Sequence, residues 1–200
     1  MALEVPVVRK KDPTIIVKED EHPRSESKLE KLASLKPLYE NGVVTAGNAS
    51  GINDGAGALL LGNAEIGEKC DLRPRVQILA GAVAGVEPRT MGLGPVAVSQ
   101  KVLQRAGLRL NDMQVIEINE AFATQVLDCL KQLELSFTDE RVNPNGGAIA
   151  IGHPLGASGA SGIRLVLTAM RQLERIDGQY ALMSLCIGVG QGIAVIIEQK

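Results

Sequence analysis

The sequence predicts an α/β fold, a mostly parallel or mixed sheet covered by helices on both faces, on three observations. From Ala56 onward, apolar runs of strand length alternate with segments of helical periodicity. These runs are apolar at nearly every position, as strands buried on both faces are, so helices must cover the sheet on each side. The 22 glycines, against no Trp, two Tyr and two Phe, require a core of closely packed Val, Ile, Leu and Ala with tight turns between elements. With 200 residues, 45% of them hydrophobic, there is chain enough for one large domain.

The first fifty residues differ in composition. Arg9-Lys10-Lys11-Asp12 and Lys18-Glu19-Asp20-Glu21-His22-Pro23-Arg24 are mixed-charge stretches around one alternating apolar piece, Thr14-Ile15-Ile16-Val17, and read as a surface excursion. His22, inside this charged loop, is expected to be solvated rather than catalytic. A short helix follows at residues 28–32, and Asn41-Gly42 turns the chain into Val43-Val44-Thr45. Residues 47–55, Gly-Asn-Ala-Ser-Gly-Ile-Asn-Asp-Gly, collect small turn formers: a loop where backbone approaches a ligand or another backbone, or a plain linker.

Strands are expected at residues 56–61, 76–83, 115–118, 180–187 and 193–197, and helices at 95–106, 120–133 and 157–173. Only Gly188-Val189-Gly190-Gln191-Gly192 separates the last two strands, which should form a hairpin. The net charge of −2 and the scarcity of aromatic residues leave neither an electrostatic footprint nor stacking platforms for nucleic acid. No apolar run approaches the length of a membrane span, and the first thirty residues carry no signal-peptide pattern. Cys70, Cys129 and Cys186 are spaced neither as metal ligands nor as a disulfide framework, so a reducing, cytoplasmic setting is expected. Organellar targeting stays open.

Two Gly-rich turns carry the candidate chemistry. Asn143-Pro-Asn-Gly-Gly147 runs into Gly152-His153-Pro154-Leu155-Gly156-Ala157-Ser158-Gly159, and Cys186-Ile187-Gly188 opens the second turn. His and Cys titrate near neutrality, so the pair suggests a two-part acid/base site. Against this, His153 fits a turn histidine satisfying a backbone group, and Cys186 a small buried hydrophobe. The spacing of Gly152, Gly156 and Gly159 does not match a dinucleotide fingerprint, although Gly156 to Gly159 suit the opening of the next helix as an anion-tolerant N-terminus. Asn119, between a strand and the pattern Glu120-Ala121-Phe122, reads as a helix N-cap with Glu120 at the positive helix end, or as a side chain orienting a water or carbonyl. Cys70, inside a helical segment, and Cys129 read as structural.

In order and spacing, Asn48-Ala-Ser50-Gly-Ile-Asn-Asp-Gly55, Asn119-Glu-Ala-Phe122, Asn143-Pro-Asn-Gly-Gly147, Gly152-His-Pro-Leu-Gly156-Ala-Ser-Gly159 and Cys186-Ile-Gly188 resemble the C-terminal half of thiolases, the acyl-CoA acetyltransferases. The resemblance covers essentially the whole chain. It implies residues 1–53 as the end of a loop domain, 54–74 as the closing strand and helix of the N-terminal half, and 75–200 as the C-terminal domain. It further implies reversible condensation of acyl-CoA, or thiolytic cleavage of 3-ketoacyl-CoA, within fatty acid metabolism. Coenzyme A enters as substrate, with no cofactor or metal. By the same resemblance Cys186 is the acid/base, His153 activates the acyl-accepting Cys, and His153 with a water on Asn119 forms one oxyanion hole. Gly188 supplies a donor to the second hole, and Ser50 and Phe122 line the substrate side, Ser50 against the pantetheine arm. Val189 departs from the Gly usual in the last turn. The half with the nucleophilic Cys is not in this sequence, which implies a missing N-terminal partner, homo-oligomerisation when complete, and little activity alone. The alternatives are an inactive CoA-binding or interaction module and a structural remnant.

Overall fold

The computed structural model describes residues 5–9, 12–158 and 162–200. The charged N-terminal region holds an antiparallel pair, β1 (Val5–Arg9) and β2 (Asp12–Val17), followed by α1 (Leu29–Ala33), which buries no residue. The Asn41-Gly42 turn forms as expected: Asn41 has φ 59°, and the Leu38 N–H donates to the Val44 carbonyl at 2.8 Å.

Beyond it come α2 (Ala64–Lys69), β3 (Val76–Gly85), α3 (Gly94–Ala106), β4 (Val115–Ile118), α4 (Ala123–Gln132), α5 (Ala148–Ile151), α6 (Leu155–Ser158), α7 (Ile163–Ile176), β5 (Tyr180–Cys186) and β6 (Gln191–Gln199). The four longer-range strands form one sheet in the order β3-β6-β5-β4. β6 is antiparallel to both β3 and β5, whereas β4 runs parallel to β5, so the sheet is mixed.

Both faces of β4 and β5 are covered, in keeping with their nearly continuous apolar runs, whereas the edge strand β3 keeps exposed positions such as Ile78 and Val83. On one face Val98 and Val102 of α3 and Val126, Cys129 and Leu130 of α4 pack on Ile116, Ile118, Leu182 and Ile196. On the other, Leu165, Ala169 and Leu173 of α7, spaced one turn apart, pack on Val115, Ala181, Met183 and Leu185. Each fully buried Leu of that stripe contributes about 1.5–3 kcal/mol of transfer free energy.

Several sequence expectations are corrected. Residues 56–61 form no strand: the stretch is irregular, Leu60 and Leu61 are exposed, and no strand among the described residues offers it a ladder. The helix expected from 120 starts at Ala123, because the chain ahead of it pairs elsewhere: Phe122 (φ −143°, ψ 145°) is extended and bridges Ala49, and the Ala123 N–H donates to the Asn48 carbonyl at 2.9 Å. The helix expected from 157 is broken. Its long part begins at Ile163 after Gly162, which has φ 60°, so Gly156, inside the separate α6, does not open it, and Gly159 lies outside the described residues. Cys70 is not inside a helix but at the exposed C-cap of α2.

Candidate active site

The C-terminal end of β4 is where the candidate residues gather. Asn143 fixes that end by acting as a strand partner: its Oδ1 accepts from the Ile118 N–H and its Nδ2 donates to the Ile118 carbonyl, both at 2.9 Å. The next residue, Asn119, is buried, and its own N–H donates to the Ser184 carbonyl of β5 at 3.0 Å. Arg164 of α7 donates to Asn119 Oδ1 at 3.4 Å, which leaves Nδ2 to face the His153 ring. Nδ2 donates to His153 Nε2 at 3.2 Å. The side chain therefore caps no helix; Phe122 occupies the N-cap position of α4 without a side-chain bond. Glu120 caps a different helix, accepting from the Ile149 N–H of α5 and from Asn143 Nδ2, each at 3.0 Å. Its carboxyl carbon stands 2.0 Å from where a Cβ on Gly147 would lie, so only glycine fits at 147.

His153 is buried, 7% exposed, directly after Gly152, whose φ of +95° suits glycine. Burial, with the Arg164 charge adding to it, holds the imidazole below its ordinary range, so at neutral pH the ring is neutral. Since Nε2 accepts from Asn119, it presents a lone pair. Nδ1 is buried with no hydrogen-bond partner among the described residues.

Residues 48–53 are not a linker but backbone pressed against two functional segments. Ala49 bridges Phe122, the Ser50 N–H donates to the Ala121 carbonyl at 3.0 Å, and Ile52 bridges His153 in parallel. This places Ser50, Phe122, Asn119 and His153 on adjoining strips of chain.

Cys186 ends β5, paired with Gly192 of β6 and two residues beyond the Ser184 carbonyl that holds Asn119. No hydrogen bond joins its thiol to the His153 ring among the described residues; the two are linked through Asn119 and the β5 backbone. Burial pushes the Cys186 thiol above its ordinary range, so it rests protonated at neutral pH. In the turn that follows, Gly188, Val189 and Gly190 take φ of 83°, 44° and 80° in succession. The position of a Cβ on Gly188 meets no atom within 4 Å, so that backbone faces open space. Cys129, in the core, is pushed up to about 11 by burial and is no nucleophile.

Four residues escape the sequence reading. Arg164 looks like one polar position of an amphipathic helix, and Asn53 like one turn former among many. Glu117 is fully buried in β4, both its carboxyl oxygens without a hydrogen-bond partner among the described residues. Burial pushes it up to about 7, against the opposing pull of Arg164. His22 is not solvated: it is half-buried, with Nε2 donating to the Ile149 carbonyl at 3.0 Å and Nδ1 accepting from Asn53 at 3.3 Å. An alternation of charges around Glu117 or a Gly partner opposite His22 would have been the only local signals, and the first of these is absent from the apolar run of β4.

Comparison with known proteins gives the family. The family model for the C-terminal domain of thiolase matches residues 72–199, and that for the thiolase N-terminal domain matches residues 3–65. The 3-oxoadipyl-CoA/3-oxo-5,6-dehydrosuberyl-CoA thiolase of Escherichia coli is 55% identical over 98% of this chain, which covers 49% of that protein. The crystal structure of the Bacillus anthracis acetyl-CoA acetyltransferase superposes with a TM-score of 0.91 at 40% identity, over 98% of this chain and 49% of that one. Human mitochondrial 3-ketoacyl-CoA thiolase in complex with CoA does so with a TM-score of 0.87 at 45% identity, over 92% and 46%. The chain thus spans about half the length of the curated relatives it matches. On the family models, the shared fold and the clustering of its motifs at the end of β4, this chain belongs to the thiolase family.

Proposed function

We propose that the chain supplies the proton-transfer part of a thiolase that condenses acyl-CoA molecules or cleaves 3-ketoacyl-CoA with coenzyme A. Residues 1–53 are read as the end of the loop domain, 54–74 as the segment that closes the N-terminal half, and 75–200 as the C-terminal domain. The observation that carries the proposal is the buried, neutral His153 whose Nε2 lone pair is held by Asn119 at 3.2 Å, beside the strand that ends in Cys186. When Nε2 exchanges the Asn119 bond for the thiol of an acyl-accepting Cys, its lone pair takes the thiol proton and the thiolate attacks the thioester carbonyl; the protonated ring is then a donor beside Asn119 for a thioester oxygen. Cys186 first gives its thiol proton to the group that leaves when the nucleophile is acylated, the CoA thiolate in synthesis or the acetyl-CoA carbanion in cleavage; as the thiolate it then takes the proton from the attacking acetyl-CoA methyl group, or from the CoA thiol, and is a thiol again. A resting thiol above its ordinary range is a strong base once deprotonated, matched to a weak carbon acid. The Gly188 backbone and the Asn119 side chain stabilise developing oxyanions.

Neither Cys70, exposed at the end of α2, nor Cys129, in the core, is placed to be the nucleophile, which is assigned to an N-terminal half. A 3-ketoacyl-CoA is the substrate class, and 3-oxoadipyl-CoA, the compound in the E. coli relative's name, is the first member to assay. The test is a complex of this chain with the N-terminal half of a full-length thiolase. Cys186→Ala should abolish turnover yet permit acetylation of the partner's nucleophile, whereas His153→Ala should slow that acetylation itself. Equal acetylation rates in wild type and His153→Ala would remove His153 from its role.

A further inference from the structure

Helix α5 lacks the hydrogen bond that would continue it through Gly152, and two side chains from far away in the chain stand in its place. A continued helix would send the His153 N–H to the Ile149 carbonyl, four residues back. Instead the His153 N–H donates to Asn53 Oδ1 at 2.9 Å, and the Ile149 carbonyl accepts from His22 Nε2 at 3.0 Å. The two substitutes are themselves joined, Asn53 Nδ2 donating to His22 Nδ1 at 3.3 Å.

The direction of every bond in this chain is determined. Asn53 Oδ1 is occupied by the His153 N–H, so its amide nitrogen must face His22, whose Nδ1 is then the acceptor and Nε2 the protonated nitrogen. Close packing holds both groups. His22 Cε1 lies 2.5 Å from where a Cβ on Gly51 would stand, and Asn53 Oδ1 lies 2.7 Å from the corresponding point on Gly152. Glycine at both places lets the imidazole and the amide enter the gap.

We propose that Asn53 and His22 are positioning residues for His153: inserted in place of one helical hydrogen bond, they turn the chain out of α5 and set the imidazole against Asn119. The proposal rests on the thiolase reading of His153. Neither residue touches the reacting atoms, so their loss acts on the rate of proton transfer rather than on the hold on acyl-CoA.

The experiment uses the chain complexed with an N-terminal thiolase half and acetyl-CoA as probe. Single-turnover acetylation of the nucleophile is followed against acetyl-CoA concentration in wild type, His22→Ala, His22→Gln, Asn53→Ala and His153→Ala. The two Ala variants at 22 and 53 should lower the maximal rate roughly ten- to a hundred-fold, the scale of a small misplacement, with the half-saturating concentration little changed. His22→Gln should recover most of the rate, because its amide oxygen and nitrogen flank one carbon as the two ring nitrogens do. In wild type, nitrogen–proton correlation spectra should show His22 Nδ1 unprotonated. Wild-type rates in His22→Ala and Asn53→Ala while His153→Ala is slow would overturn the proposal, as would a His22→Gln no faster than His22→Ala. An Nδ1–H tautomer of His22 would overturn it too, and that measurement needs no variant to fold. An unchanged rate in His153→Ala would overturn the functional reading itself, and the positioning role with it.

Discussion

At the scale of single residues, the site is a set of polar groups that the fold buries and orients in pairs: Asn119 by Arg164, His153 by Asn119 and Asn53, Glu120 by the α5 backbone. Glu117 stands apart, buried without a hydrogen-bond partner among the described residues. Its carboxyl titrates at about 7 in the folded protein against the ordinary carboxylate range near 4.5, so between these values the folded state binds more protons than the unfolded chain. Its contribution is therefore fully present below the unfolded value and is lost as pH rises through about 7. His153, lowered on folding, acts in the opposite sense, its contribution lost as pH falls. Urea midpoints measured from pH 5 to pH 8 should show the difference between wild type and Glu117→Gln changing by about 1–3 kcal/mol across the range; a constant difference would show that Glu117 does not titrate there. The turn positions of His153 and Cys186 were legible in the sequence from their glycine-rich settings, and that of Asn119 from the end of an apolar run. Their partners were not. Asn119 fits the pattern of an N-cap, and only its distance from α4, enforced by the pairing of 121–123 with 48–50, shows otherwise. His22 meets Ile149 127 residues away, and no local pattern encodes such a contact.

At the scale of elements, the core strands were legible because burial on both faces writes itself as unbroken apolar runs, and the β5–β6 hairpin because its turn is short. Residues 56–61 carry the same apolar signal but no partner strand among the described residues, and propensity alone does not make a strand. Helix starts were displaced for the converse reason: long-range pairing overrode helical periodicity ahead of Ala123, and the left-handed Gly162 did so ahead of Ile163. The turn after Cys186 shows what a side chain costs in such a place. Val189 holds φ 44° with a β-branched side chain that is 83% exposed and so buries little in return. Relieving a left-handed Val is worth about 1 kcal/mol, so Val189→Gly should raise the melting temperature by about 2–4 °C. Scanning calorimetry of the two proteins checks it, and an equal or lower value for the variant would show the turn to be unstrained.

At the scale of the molecule, β4 and β5, covered on both faces, bring the candidate side chains to one end: an imidazole, oriented amides and a thiol, with neither Cys70 nor Cys129 beside them among the described residues. The chain spans about half the length of the curated relatives it matches. The most direct test is acetyl-CoA release from a 3-ketoacyl-CoA and CoA, measured for the 200-residue chain alone, for its complex with an N-terminal thiolase half, and for that complex carrying Cys186→Ala. No release by the chain alone, turnover by the complex and its loss in Cys186→Ala are the results expected. Turnover by the chain alone, or a Cys186→Ala complex as active as wild type, would contradict the assignment.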